Sequence, residues 1–171
     1  LYGVTGSGKS EVYLKRAEDV IRSGKQVLYM VPEITLSHQV TGEVYQRFNK
    51  RVAILHSALT PSQRLKVWRE IMNGDVDLVV GARSSVFAPF KNLGLIIMDE
   101  EHEGAYKSGQ SPRYSARQVA QYRAGKWKAQ LIMGSATPSL EAWHLIMTQK
   151  IKSVVMRNRI GEASFPKITI V

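Results

Sequence analysis

Gly3-Val4-Thr5-Gly6-Ser7-Gly8-Lys9-Ser10 carries glycine, lysine and a hydroxyl at the spacing G-x-x-x-x-G-K-[ST]. Each fixed position has a chemical reason. Glycines let the backbone adopt dihedrals that turn successive amides inward on one anion. A helix starting at the end of such a loop adds free N–H groups and the positive end of its dipole. Lys9 then reaches the β- and γ-phosphates, and the Ser10 hydroxyl coordinates Mg²⁺. The chemistry expected of these eight residues is nucleoside-triphosphate binding.

A second reactive group, Asp99-Glu100-Glu101-His102, follows the apolar run Leu93 to Met98. Ligands of open parallel sheets bind beyond the carboxyl ends of the strands, so these acids would face the same crevice as the glycine-rich loop. Asp99 suits a direct or water-mediated Mg²⁺ ligand, and Glu100 is placed to orient or deprotonate an attacking water. Three adjacent carboxylates repel one another unless a cation lies among them, which argues against an idle solvated turn.

A third set interleaves rings and cations: Tyr106, Lys107, Arg113, Tyr114, Arg117, Tyr122, Arg123, Lys126, Trp127 and Lys128. Single-stranded nucleic acid asks for that mixture, rings for base stacking and cations for phosphates. Gly109 and Pro112 mark the first part as loop, whereas Tyr122 and Trp127 are expected to pack a helix against the sheet. Arg83-Ser84-Ser85, at a strand exit, reads equally as a phosphate contact or as a turn and helix cap. His38, His56 and His144 read as structural, and Lys150, Lys152, Arg157 and Arg159 as solvated surface.

Positioning these groups requires strands alternating with helices. Buried strands are expected at Gln26 to Val31, Val52 to Leu55, Val76 to Val80, Leu93 to Met98 and Gln130 to Met133. A helix is expected over Lys9 to Ser23, with Tyr13, Ala17, Val20 and Ile21 inward and Gly24 as its stop. Thr60-Pro61 announces another, with Leu65, Trp68, Ile71 and Met72 on its apolar stripe and Asn73-Gly74 ending it. A third spans Ser115 to Ala124, closed by Gly125. Alternation of this kind predicts one α/β domain, a mainly parallel sheet with helices on both faces.

Composition narrows the class. Hydrophobic content of 44% with 22% charged residues is globular. No cysteine is present, which removes disulfides, thiolate metal sites and thiol nucleophiles from consideration. No apolar run approaches the ~18 residues of a membrane span, and no signal peptide opens the chain, so a cytoplasmic protein without membrane association is expected. The net charge of +10 calls for an anionic partner. It is unevenly placed: residues 104–171 hold 11 basic side chains against Glu141 and Glu162 alone, while the first 103 residues are almost neutral.

GVTGSGKS, VPEITLSHQV, GARSSVFAPF, DEEH and GSATP, in that order, resemble motifs I, Ia, Ib, II and III of superfamily 2 helicases. The DEEH form, VPEI, and Tyr106-Lys107, Pro112-Arg113-Tyr114 and Ala116-Arg117 resemble more narrowly the bacterial primosomal replication-restart helicases. The resemblance spans essentially the whole chain. It implies a RecA-like P-loop NTPase lobe of three layers over residues 1–150, with 151–171 leading toward a second lobe. It implies ATP and Mg²⁺ as ligands, Lys9, Asp99 and Glu100 as catalytic residues, and coupling through His102, Ser135 and Thr137. Tyr106, Lys107, Arg113, Tyr114, Arg117 and Arg83 become the expected DNA contacts.

The full protein is expected to translocate 3′ to 5′ on DNA in replication restart, with forked and single-stranded DNA, other primosome proteins and single-strand-binding protein as partners. Zinc is expected only in parts outside this sequence. Leu1-Tyr2 running straight into the loop, and the β-rich stretch Lys167 to Val171, suggest a piece of a longer protein. A second lobe would supply the arginine finger, worth ~10³–10⁵ in rate, so this piece alone is expected to be nearly inactive. Another P-loop DNA translocase and a non-enzymatic nucleic-acid-binding module are the alternatives; a small-molecule kinase lacks its Arg-rich lid.

Overall fold

Val27, Leu28, Tyr29 and Met30 alternate between two layers of core, and that alternation organises the molecule. The computed structural model describes residues 1–32, 38–49 and 51–160. Within them run β1 (Tyr2–Gly3), α1 (Lys9–Arg22), β2 (Gln26–Met30), α2 (His38–Phe48), β3 (Val52–Leu55), α3 (Pro61–Asn73), β4 (Leu78–Gly81), β5 (Leu93–Met98), α4 (Ala116–Trp127), β6 (Gln130–Met133), α5 (Leu140–Met147) and β7 (Val155–Met156). Five strands pair in parallel in the order β3-β4-β2-β5-β6, and β1 pairs in parallel with β7. Tyr2 also bridges Ser135, which sets β1 beside the exit of β6. Met30, Met98 and Met133 share one register level, so these strands release their loops at one edge.

Leu28, Met30, Val79, Ile96 and Met98 meet Ile71 of α3 and Ala116, Ala120 and Ala124 of α4 on one face. Val27, Tyr29, Leu78, Val80, Leu95 and Ile97 meet Tyr13, Ala17 and Val20 of α1 on the other. Strands with both faces covered need no polar alternation, which is why they read as continuous apolar runs. The expected three-layer α/β architecture is the one found.

The helix boundaries follow their punctuation. Gln63 N donates to Thr60 Oγ1 at 3.3 Å and Thr60 N to Gln63 Oε1 at 2.9 Å, a reciprocal capping box, and Gly74 closes α3 with φ of 84°. Three expectations fail in detail. Of the α3 stripe only Ile71 is buried; Leu65, Trp68 and Met72 are exposed. Gly125 lies inside α4, and Lys128 takes the left-handed cap. Tyr122 is 71% exposed, because the buried stripe of α4 is three alanines four residues apart, with Trp127 half-buried beside it. Residues 33–37 of the stretch resembling motif Ia, and Lys167 to Val171, fall outside the described residues.

Among the described residues no helix is long and apolar enough to cross a membrane. An apolar cavity of 610 Å³ lies along β6, lined by Leu1, Tyr2, Val12, Leu131, Met133 and Ile146, with Glu101 and Ser135 also in its wall.

Candidate nucleotide site

The glycine-rich loop leaves β1 and enters α1 directly. Gly8 occupies the N-cap position with φ of 86°, and Gly6 has φ of 79°, so both sit where a side chain is strained. Lys9 is buried, its Nζ donating to the carbonyl of Gly3 at 2.8 Å and of Val4 at 3.4 Å. Ser7 is 2% exposed and its hydroxyl has no hydrogen-bond partner, an orphaned donor inside the loop. Ser10 is exposed. Val4 is half-buried and Thr5 exposed on the loop's outer face. Ile160 N donates to Gly6 O at 3.0 Å, so the segment after β7 runs along this loop. A buried ammonium satisfied only by carbonyls, an orphaned hydroxyl and left-handed glycines together suit a phosphate chain.

Asp99 faces the loop from the end of β5. Tyr13 Oη donates to its Oδ1 at 3.1 Å, as does Glu100 N at 3.0 Å, and Tyr106 Oη donates to its carbonyl at 2.7 Å. Tyr29 packs edge-on against Tyr13 with centroids 5.9 Å apart. Three tyrosines thus exclude water from the strand end. Burial, and then the charge of Glu100, push the Asp99 carboxyl above the usual carboxylate range, while Tyr13 and Lys9 oppose the shift. Burial likewise raises the Tyr13 and Tyr106 phenols, next to Asp99, far above the ordinary value. Such a carboxylate is short of a cation. Among the described residues no three His, Asp or Glu converge as a metal cage.

Glu100 has φ of 45°, left-handed for a residue with a side chain. Backbone held there costs of order 1–3 kcal/mol and collects at functional turns. The turn aims successive residues different ways. Glu100 Oε2 lies 3.6 Å from His102 Nδ1, and His102 Nδ1 lies 2.7 Å from Ser135 Oγ. Ser135 Oγ also accepts from Thr137 N at 2.9 Å, while the Thr137 side chain is exposed. Gly134, just before, packs so closely on Tyr13 that any side chain would overlap the phenol hydroxyl.

Glu101 turns inward. Its side chain is 2% exposed, and its Oε2 accepts from Arg117 Nη1 at 3.2 Å and Ser139 Oγ at 2.9 Å, its Oε1 from Ser139 N at 2.7 Å. The cation that three adjacent carboxylates required is, for this one, Arg117. Sequence reasoning put Glu101 in the acidic group but gave it no role of its own, and left Ser139 and Tyr13 out of the site, since nothing local reveals a partner 16 or 38 residues away.

The expected DNA contacts divide. Tyr106 is 2% exposed and belongs to the core, so it is not presented for base stacking. Arg117 is 12% exposed and committed to Glu101 and to Glu141 at 3.3 Å, because a buried carboxylate holds its cation. Arg83 Nη1 donates to the carbonyls of Lys107 at 2.9 Å and Ala105 at 3.3 Å, with its guanidinium 5.8 Å from the Tyr114 ring. Tyr114 in turn packs edge-on against Phe87, 5.0 Å between centroids. Arg123 is spent on the carbonyls of Val86 and Ala88. Arg113 and Lys107 are exposed, Lys107 pairing with Glu141 at 3.2 Å.

Residues 1–145 match the DEAD/DEAH box helicase family. The replication restart protein PriA of Treponema pallidum is 51% identical over all 171 residues, which span 26% of that protein. PriA of Bacillus subtilis is 43% identical over the same length, 21% of its own. The chain therefore spans about a quarter of the curated relatives it matches. Among solved structures, RecG bound to a three-way DNA junction superposes with a TM-score of 0.65 at 27% identity, over 95% of this chain and 21% of the other. The Hef helicase domain of Pyrococcus furiosus reaches 0.64 at 20% identity, over 92% of this chain and 34% of that one, a likeness of fold. The chain belongs to the DEAD/DEAH box helicases.

Proposed function

We propose that this chain is the ATP-binding lobe of a DNA helicase acting in replication restart. One observation carries the reading. The strand feeding the phosphate loop, β1, is separated from the acidic strand β5 by β6, and the exit of β6 at Ser135 is bonded to His102. A segment wedged between the two halves of a nucleotide site, and hydrogen-bonded to one of them, is placed to register the state of the phosphates.

The residues divide the work as follows. Lys9 exchanges the Gly3 and Val4 carbonyls for phosphate oxygens, while the amides of Thr5 to Ser10 line the loop. Ser10 and Asp99 would hold Mg²⁺, which would neutralise charge on the phosphates. Glu100, aimed by its left-handed turn, positions the water and takes its proton. His102 and Ser135 report the change to the turn carrying Thr137. The exposed Lys107 and Arg113, with the Arg83, Tyr114 and Phe87 cluster beside them, supply cations and rings for a single strand. Translocation from 3′ to 5′ and contact with primosome partners and single-strand-binding protein rest on the resemblance to PriA.

The test uses the full-length protein. Single-stranded DNA should stimulate its ATPase, and Lys9→Ala should abolish ATP turnover and unwinding while DNA binding persists. Unwinding by Lys9→Ala at the wild-type rate would overturn the reading.

A further inference from the structure

Gly3 is glycine for a different reason from Gly6. Its φ is not left-handed, so its own backbone would accept a side chain. The space would not: a Cβ there would stand 2.6 Å from the carbonyl oxygen of Met156 and 2.8 Å from its Cβ. Gly8 has both reasons. Besides its φ of 86°, a Cβ at Gly8 would lie 2.4 Å from Cδ1 of Ile160 and 3.9 Å from Cε of Met156. The first and last glycines of the phosphate loop are thus packed against one short segment, Met156-Arg157-Asn158-Arg159-Ile160, from the far end of the described chain.

Backbone bonds fix this segment as a strap along the loop. Tyr2 N donates to Val154 O at 2.9 Å, and the parallel register of β1 and β7 sets Gly3 level with Met156. Four residues on, Ile160 N donates to Gly6 O at 3.0 Å. The strap therefore touches the loop at its entry, its middle and its end. The bond to Gly6 uses a carbonyl, which cannot donate to a phosphate oxygen, so no anion-binding group is spent on it. Ile160 itself is 70% exposed. Such a side chain contributes little to the core, yet its Cδ1 rests on the backbone of the residue before Lys9.

We infer that the strap from Met156 to Ile160 is a positioning element for the phosphate loop, with Ile160 as its positioning residue. The inference rests on the proposed function and deepens it, adding to the nucleotide site a part that the G-x-x-x-x-G-K-[ST] spacing does not contain. Three glycines in six residues leave a loop whose free backbone samples many forms, and ordering it costs affinity unless something has ordered it first. A nucleotide that meets such a loop binds more weakly in proportion to the fraction of loops already competent. By packing on Gly3 and Gly8 and bonding Gly6, the strap raises that fraction. Lys9, Asp99 and Glu100 keep the chemistry, so the strap acts on binding and not on the turnover of the bound complex.

The experiment measures the Kd for Mg²⁺–ADP, and the KM and kcat of the ATPase, in the full-length protein. Ile160→Ala removes the side chain over Gly8 and keeps the N–H that bonds Gly6. It should raise both the Kd for Mg²⁺–ADP and the KM for ATP about fivefold, with kcat within about twofold of wild type. Ile160→Leu keeps a δ-methyl and should bind within about twofold of wild type. The unfolding temperature without nucleotide should stay within about 2 °C of the parent in both variants, because the residue is mostly exposed. A merely structural role would lower that temperature and leave KM alone. Binding by Ile160→Ala within twofold of wild type overturns the inference. Tighter binding overturns it too, since the strap would then obstruct the nucleotide, and so does a fall in kcat as large as the rise in KM. If Ile160→Ala does not fold, Ile160→Val, which lacks Cδ1 alone, decides in its place by the direction of the same changes. Wild-type protein that binds no nucleotide overturns the proposed function and this inference with it; a binding wild type beside an unimpaired Ile160→Ala overturns only the inference.

Discussion

Asp99 shows how a side chain is made dependent on a ligand. Its carboxyl is raised by burial among tyrosines and by Glu100, so in the free domain the group is stabilising when protonated. The penalty is absent at pH below the ordinary carboxylate value and grows as pH rises through the raised one. Asp99→Asn keeps an oxygen for Tyr13 and for the Glu100 amide and removes the charge. The variant should therefore melt at a higher temperature than the parent at neutral pH without nucleotide, lose that advantage in acid, and gain nothing from Mg²⁺–ATP. Thermal unfolding across pH, with and without ligand, checks all three. His102→Ala should separate two activities of the full protein, leaving the KM for ATP within about threefold and lowering unwinding per ATP hydrolysed; equal losses in both would place His102 in the chemistry instead. At this scale the shape of the glycine-rich loop could be read from its residue types, because Gly6 and Gly8 take left-handed dihedrals and Lys9 turns inward. Tyr106 and Arg117 could not, since a tyrosine that seals a carboxylate and one that stacks on a base look alike in sequence.

At the scale of elements, local signals held where the chain provides its own partner. Thr60 and Gln63 lie three residues apart and cap α3 together, and Thr60→Ala should cost about 1 kcal/mol in chemical denaturation. Gln26 is the opposite case. Its buried amide donates to Ile71 O at 3.0 Å and Val76 O at 2.7 Å and accepts from the amides of Lys91 and Asn92, joining the end of α3 and the starts of β4 and β5. Gln26→Ala leaves these groups unpaired and should cost about 2–4 kcal/mol by the same measurement; a loss under 1 kcal/mol would mean that water replaces the side chain. Strands β2 to β5 were legible as apolar runs because both faces are covered, whereas β6, expected to be buried, has Gln130 exposed and its other residues only half-buried at the edge of the five-stranded sheet. Burial on α3 and α4 was not, since helical spacing says which residues share a face but not whether anything lies against it. Leu65, Trp68 and Met72 share a face and are exposed, whereas the alanines of α4, unremarkable in sequence, carry the contact.

Across the whole molecule, charge and topology set different expectations. The basic excess after residue 103 is partly consumed internally, by Glu101, Glu141 and backbone carbonyls, so total charge overstates the cations left for DNA. Arg113 is exposed, and Arg113→Ala in the full protein should weaken DNA binding at every sequence and lower the slope of log affinity against log salt by about 1; an unchanged slope would remove Arg113 from the contact. Topology bears on time. The phosphate loop comes early in the sequence, yet the strand that enters it is held by Ser135 and Val154: Gly3 N donates to Ser135 O at 3.1 Å and Tyr2 N to Val154 O at 2.9 Å. Ribosomes add roughly 5–20 residues per second, so about 6–30 s separate synthesis of the loop from synthesis of its anchors. During that interval the nascent chain has its phosphate-binding residues but no frame to hold them, and nucleotide can act only as a late lock on this lobe, never as the template on which it begins to fold.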